Sequence, residues 1–137
     1  MRTVLSIGHN KGMNHVISTL VSDEYQVLIS DNVFYGMHLL KNQPEIVLVI
    51  IDIDFQLKES LEFIRHIDSS KVYKKPCIVL SDKKIKAELN NSLDGLIHDH
   101  FSKPFDPMEV SNSIKRANSL KKAERPQADL KSRSKNL

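Results

Sequence analysis

The nine residues Asp99-His100-Phe101-Ser102-Lys103-Pro104-Phe105-Asp106-Pro107 decide how this chain is read. A short apolar edge, Leu96 and Ile97, runs into them, and a helix start follows. Pro104 disfavours helical geometry at Lys103 and holds it extended or bent. Asp106 reads as an N-cap, Pro107 as the first helical residue and Glu109 as the return arm of a capping box. Lys103 is thereby expected at the C-terminal end of a strand, just before a helix. In an open α/β sheet that rim is where ligands and chemistry gather.

Working outward, short apolar runs alternate with stretches of helical period, and no internal repeat is visible. Val4-Leu5-Ser6-Ile7 reads as a first strand stopped by Gly8, and Met13, Val16, Ile17 and Leu20 as the stripe of a first helix. Tyr25 to Ile29 reads as a second strand. Ser30 or Asp31 is expected to cap a second helix with Val33, Met37 and Leu40 inward. Ile46-Val47-Leu48-Val49-Ile50-Ile51, the most apolar segment, suits a central parallel strand covered on both faces. A third helix over about 58–68 turns Leu61, Ile64 and Ile67 inward, and Pro76 introduces a strand over 77–81. Ile85, Leu89 and Leu93 mark a weaker fourth helix. Leu96 to Phe101 reads as a fifth strand, and a last helix over about 107–121 buries Val110, Ile114 and Ala117.

Five strands alternating with five helices mean βαβ units of one hand and a parallel sheet. The expected fold class is α/β: a three-layer, doubly wound (βα)5 sandwich with strand order 2-1-3-4-5. Residues 1–120 form the expected domain, an ordinary size for a single core.

Composition narrows the function. Of 137 residues, 40% are hydrophobic and 27% charged, the balance of a soluble globular chain. The chain has no 18-residue apolar run and no signal-peptide layout, so a cytoplasmic protein without membrane association is expected. The lone Cys77 permits no internal disulfide and, inside Cys77-Ile78-Val79-Leu80, reads as buried and inert. The net charge of +3 is unevenly spread: residues 121–137 carry six Lys/Arg against two acids, whereas residues 1–120 carry 14 against 15. The basic 121–137 stretch reads as a solvated, disordered tail, with contact to nucleic acid or an acidic partner as the alternative. Too little chain follows residue 121 to fold a nucleic-acid-binding domain. No glycine-rich phosphate loop follows the first strand, which argues against a nucleotide-binding enzyme.

The rim carries Gly8, His9 and Asn10 after strand 1, Asp52 and Asp54 after strand 3, Ser81 and Asp82 after strand 4, and Lys103 after strand 5. A hydroxyl, a lysine and a carboxylate on one rim can bind a phosphoryl group. Singly, each has a plain structural alternative: Ser81-Asp82 as a helix cap, Asp52 as a turn residue.

Pro44-Glu45-Ile46-Val47-Leu48, Cys77-Ile78-Val79-Leu80-Ser81 and above all Phe101-Ser102-Lys103-Pro104-Phe105-Asp106-Pro107 resemble the response-regulator receiver domain of the CheY-like, flavodoxin-like family. The resemblance covers residues 2–120. It implies that Ser81 is the phosphorylation-sensing hydroxyl, that Lys103 is the lysine contacting an acyl phosphate, and that His100 stands at the aromatic switch position. The pattern fails at strand 1, where the family's Mg2+-binding acid pair is replaced by Gly8 and His9. Glycine offers no ligand, and imidazole suits softer metals than Mg2+. The acceptor position is open. Counting forward from Pro44 gives Ile50, and counting back from Leu61-Glu62-Phe63-Ile64-Arg65, with Ser60 replacing the usual glycine, gives Asp52. Asp52 would point to the same side as Ile50 but lie about 6–7 Å further along. The usual proline of the following loop is absent from Asp54-Phe55-Gln56-Leu57.

Two functions lead the readings consistent with this pattern, with other flavodoxin-like uses such as small-ligand binding behind them. The first is a stand-alone receiver of two-component phosphorelay signalling, not an enzyme and without a cofactor. It would dock to a protein through its helix 4–strand 5–helix 5 face, with Mg2+-dependent phosphorylation impaired. A histidine kinase is a further candidate partner. The alternative is a working regulator with Asp52 as phosphoacceptor and weak Mg2+ binding aided by Asp54 or water.

Overall fold

The computed structural model describes residues 2–82, 84, 93 and 95–118. Five parallel strands lie in the order β2-β1-β3-β4-β5, as the alternation of elements implied. The strands are β1 (Thr3–Ile7), β2 (Gln26–Ser30), β3 (Ile46–Asp52), β4 (Cys77–Asp82) and β5 (Asp99–Lys103). Helices α1 (Lys11–Val21), α2 (Val33–Asn42) and α3 (Leu57–Ser69) join the first four strands, and a C-terminal helix over 107–118 follows β5. Of the expected fourth helix only Leu93 is described, buried in the core; Ile85 and Leu89, and the 121–137 tail, lie outside the described residues.

The central strands are apolar on both sides because both sides are covered. Leu5, Ile7, Val49, Ile51 and Val79 pack with Val33 and Leu40 of α2 and Phe63, Ile64 and Ile67 of α3. Val4, Leu48, Ile50, Ile78 and Leu80 pack with Ile17 and Val21 of α1 and with Val110, Ile114 and Ala117 of the C-terminal helix. A fully buried aliphatic side chain of this kind contributes about 1.5–3 kcal/mol. Gly36 lets α2 close on β1, since a Cβ there would stand 2.5 Å from Ile7 Cδ1.

One irregularity in β3 matters for the rim. Thr3 pairs with Ile46 but Val4 pairs with Leu48, so Val47 is an extra residue at a bulge. Val47 and Leu48 consequently both face the α1 side, although they are neighbours in sequence. One of the two additional residues counted from Pro44 is thus absorbed where the strand begins, far from its functional end.

Several elements differ from their sequence expectation. In α1 the buried face is Asn14, Ile17 and Val21, while Val16 is 41% exposed. The helix is rotated because Asn14 is held inward by Ser6 Oγ, which donates to its Oδ1 at 2.9 Å. Asn32, not Ser30 or Asp31, caps α2: its Oδ1 accepts from Tyr35 N at 2.8 Å. Ser30 Oγ instead donates to the Asn32 carbonyl at 2.6 Å. Strand β5 starts at Asp99, three residues later than the apolar pair Leu96-Ile97 suggested. Asp106 caps the C-terminal helix as expected, its Oδ1 accepting from Met108 N at 2.9 Å.

Candidate functional site

The C-terminal ends of β3, β4 and β5 bring Asp52, Asp54, Asp82 and Lys103 together. Strand register sets the first contacts: Asp52 lies beside Leu80 across β3–β4, and Asp82 beside Lys103 across β4–β5. Lys103 Nζ donates to Asp52 Oδ2 at 2.7 Å and to Asp54 Oδ2 at 2.9 Å. The remaining oxygens are also used. Asp52 Oδ1 accepts from Asp54 N at 3.1 Å, and the Asp54 carboxylate accepts from Asp82 N at 2.9 and 3.1 Å. Burial alone would lower the Lys103 pKa, but hydrogen bonds and charge from Asp52 and Asp54 outweigh it and raise the pKa above the ordinary lysine value. The ammonium therefore stays charged between two carboxylates.

Ile50 does not compete for this place. It is buried in the core facing α1 and the C-terminal helix, while Asp52, 7% exposed, reaches the lysine. The displacement of about 6–7 Å anticipated from the count is not a misfit, because Lys103 stands at the end of β5, far enough along to meet Asp52.

One layer away, Ser81 Oγ lies 2.6 Å from His100 Nε2 and donates to the Asp82 carbonyl at 3.2 Å. Ser81 is fully buried and His100 half-buried, so the imidazole points inward rather than into solvent. The helix that Ser81-Asp82 was expected to cap lies outside the described residues, although Asp82 Oδ1 accepts from Lys84 N at 3.0 Å.

The β1 side is built otherwise. Gly8 N donates to the Ser30 carbonyl at 2.9 Å, and Asn14 Nδ2 donates to the Gly8 carbonyl at 3.2 Å. A Cβ on Gly8 would stand 3.2 Å from Asp52 Cβ, so even a methyl group there would crowd the carboxylate. His9 is exposed and leans edge-on against Phe55, ring centroids 4.4 Å apart. Asn10 caps α1, its Oδ1 accepting from Met13 N at 2.9 Å. Asn14 was missed by sequence reasoning. A polar residue within an apolar stripe was its only signal.

These residues do not fit a Mg2+ ion. Mg2+ requires near-octahedral oxygen ligands. Here both carboxylates are shared with an ammonium, Gly8 has no side chain and His9 turns to Phe55. Among the described residues no three His, Cys, Asp or Glu side chains are grouped to hold a metal.

Comparison with known proteins agrees with the fold. A response regulator of Thermotoga maritima superposes with a TM-score of 0.74 at 24% identity, covering 87% of this chain and 98% of that one. A receiver domain of Clostridium thermocellum gives a TM-score of 0.78 at 18% identity over 90% of this chain and 98% of that one. This chain has the receiver fold. A chemotaxis response regulator of Vibrio cholerae is similar too, with a TM-score of 0.73 at 18% identity, covering 85% of this chain and 98% of its own. In sequence the chain is 24% identical over 115 residues to a two-component response regulator of rice (Oryza sativa subsp. japonica), covering 82% of this chain and 86% of the relative. No family model matches. As for membranes, no helix among the described residues is long and apolar enough to cross one.

Proposed function

We propose that this receiver acts in two-component signalling by docking to a partner protein, with Lys103 taking the charge-neutralising place of a divalent cation at its rim. The observation that carries this reading is the double ion pair from Lys103 to Asp52 and Asp54 at 2.7 and 2.9 Å, opposite a β1 end that supplies no carboxylate. A divalent ion offsets the charge of an incoming phosphoryl group, and without its ligands phosphotransfer to Asp52 weakens. Output then rests on the β5 face. There Asp99 Oδ2 accepts from Ser113 Oγ at 2.7 Å and from Arg116 at 3.1 Å, fastening β5 to the C-terminal helix and keeping the surface in one shape. The partner surface comprises β5 and this helix together with the fourth-helix segment outside the described residues. A histidine kinase remains a candidate partner.

A second reading has an observation of its own. Asp52 stands within salt-bridge reach of Lys103, as a phosphoacceptor would, with the buried Ser81–His100 pair one layer away to sense the change. One experiment separates the two. The protein is incubated with acetyl phosphate, and separately with beryllofluoride, each with Mg2+, and followed by intact mass and by the amide shifts of Ser81 and Lys103. The docking reading expects neither a mass increase nor a shift. A Mg2+-dependent response lost in Asp52→Asn establishes the second reading instead.

A further inference from the structure

The opposite end of the sheet carries a cavity that the rim does not explain. Strand β5 begins at Asp99 rather than Leu96, and the residues just before it leave the sheet. Gly95 takes a φ of +78°, Leu96 N donates to the Leu93 carbonyl at 2.9 Å, and only His98 N returns to β4, at the Cys77 carbonyl, 2.8 Å away. The gap between this segment, the end of α3 and the loop before β4 is a cavity of about 530 Å3. That lies within the usual range for small-molecule sites. It is separated from Lys103 by the length of β5, about 13 Å.

Its lining has two parts. Ile67, Pro76, Leu96 and Ile97 form apolar walls, and Lys74 and Lys75 supply positive charge. Lys74 is matched by Asp68 at 3.6 Å, whereas half-buried Lys75 makes no ion pair among the described residues. His98, also in the lining, keeps a buried Nε2 with no hydrogen-bond partner among the described residues. A Cβ on Gly95 would meet nothing within 4 Å, so the mouth is open on that side.

We infer that this cavity binds a small organic anion with a flat apolar body, its ring between the aliphatic walls and its phosphate or carboxylate on Lys75. The inference is independent of whether Asp52 is phosphorylated.

Adenosine 5′-monophosphate, which has both parts, is the probe. The full 15N-labelled chain is titrated with it, with adenosine and with inorganic phosphate. Saturable amide shifts are expected at Lys75, Gly95, Leu96 and His98, with a Kd of about 1 mM or tighter, each half-ligand binding about tenfold more weakly. Lys75→Glu, and the size-conserving Lys75→Gln, should weaken binding of the nucleotide, the former about tenfold, a factor equivalent to about one well-placed charge contact. His9→Ala, an exposed position at the other end of the sheet, should leave it unchanged. Absence of saturable shifts at these residues overturns the inference. So do shifts centred on Asp52 and Lys103, phosphate alone binding as tightly as the nucleotide, or unchanged affinity in both Lys75 variants.

Discussion

On the β4–β5 side of the rim, Ser81 meets His100 at 2.6 Å and Lys103 reaches across to hold Asp52 and Asp54; on the β1 side, Gly8 contributes only backbone and His9 turns away to Phe55. The first side is a closed polar network in which each side chain has a partner. The second is a loop fastened by main-chain bonds to Ser30 and Asn14. The difference is one of charge: an ammonium from the end of β5 balances two carboxylates at and just beyond the end of β3, and the β1 end brings no charge to them.

Removing that ammonium breaks the comparison most severely. Lys103→Met leaves the buried Asp52 beside Asp54 with no counter-charge. With the lysine side chain 29% exposed, the loss is discounted to about 2 kcal/mol, or a fall in Tm of roughly 5–10 °C. In that variant alone, added Mg2+ should recover part of the loss, because a ligand that binds only the folded state stabilises it. Thermal unfolding with and without Mg2+ measures both effects. A variant as stable as the parent, and indifferent to Mg2+, would mean the lysine is not the balancing charge.

A smaller contrast lies between Ser81 and His9. Ser81→Ala removes the 2.6 Å contact between a fully buried hydroxyl and the His100 ring, at a cost of about 1 kcal/mol. His9→Ala removes one exposed edge contact and should change stability by less than about 0.5 kcal/mol. Urea denaturation of the two variants checks the ordering. If they lose equally, the two sides are not built as differently as described.

A last effect is alkaline. Lys103 has a raised pKa in the folded state, so its stabilisation is complete below the ordinary lysine value of 10.5 and is lost as pH rises through the folded value. Burial pushes the Cys77 thiol from 9.0 up to about 12, so the unfolded chain releases that proton first and stability falls as pH passes 9.0. Denaturation from pH 8 to 11 should show a gradual decline, with its onset later in Cys77→Val. A decline that starts at the same pH in both proteins would remove Cys77 from the account.

Much of this was legible from residues alone. The apolar runs and helical stripes carried the strand order, because βαβ alternation permits few arrangements. The segment around Lys103 carried the rim. Other features depended on distant partners. No local pattern shows that Val47 is an extra residue opposite Thr3 and Val4, and this bulge accounts for one of the two residues by which the count from Pro44 fell short of Asp52. Asn14 enters the core because Ser6 and Gly8, from another element, need its amide. The apolar pair Leu96-Ile97 looked like strand because apolarity marks burial, and here those residues pack on the core ahead of the strand and wall a cavity beside it.

Whether Lys103 occupies the place of a cation is read by a Mg2+ titration of the unmodified, 15N-labelled protein, followed at the amides of Gly8, Asp52, Asp54 and Lys103. With Lys103 in the cation's place, no saturable shift is expected at these residues. A saturable site centred on Asp52 and Asp54, with a Kd of about 1 mM or tighter, would contradict it.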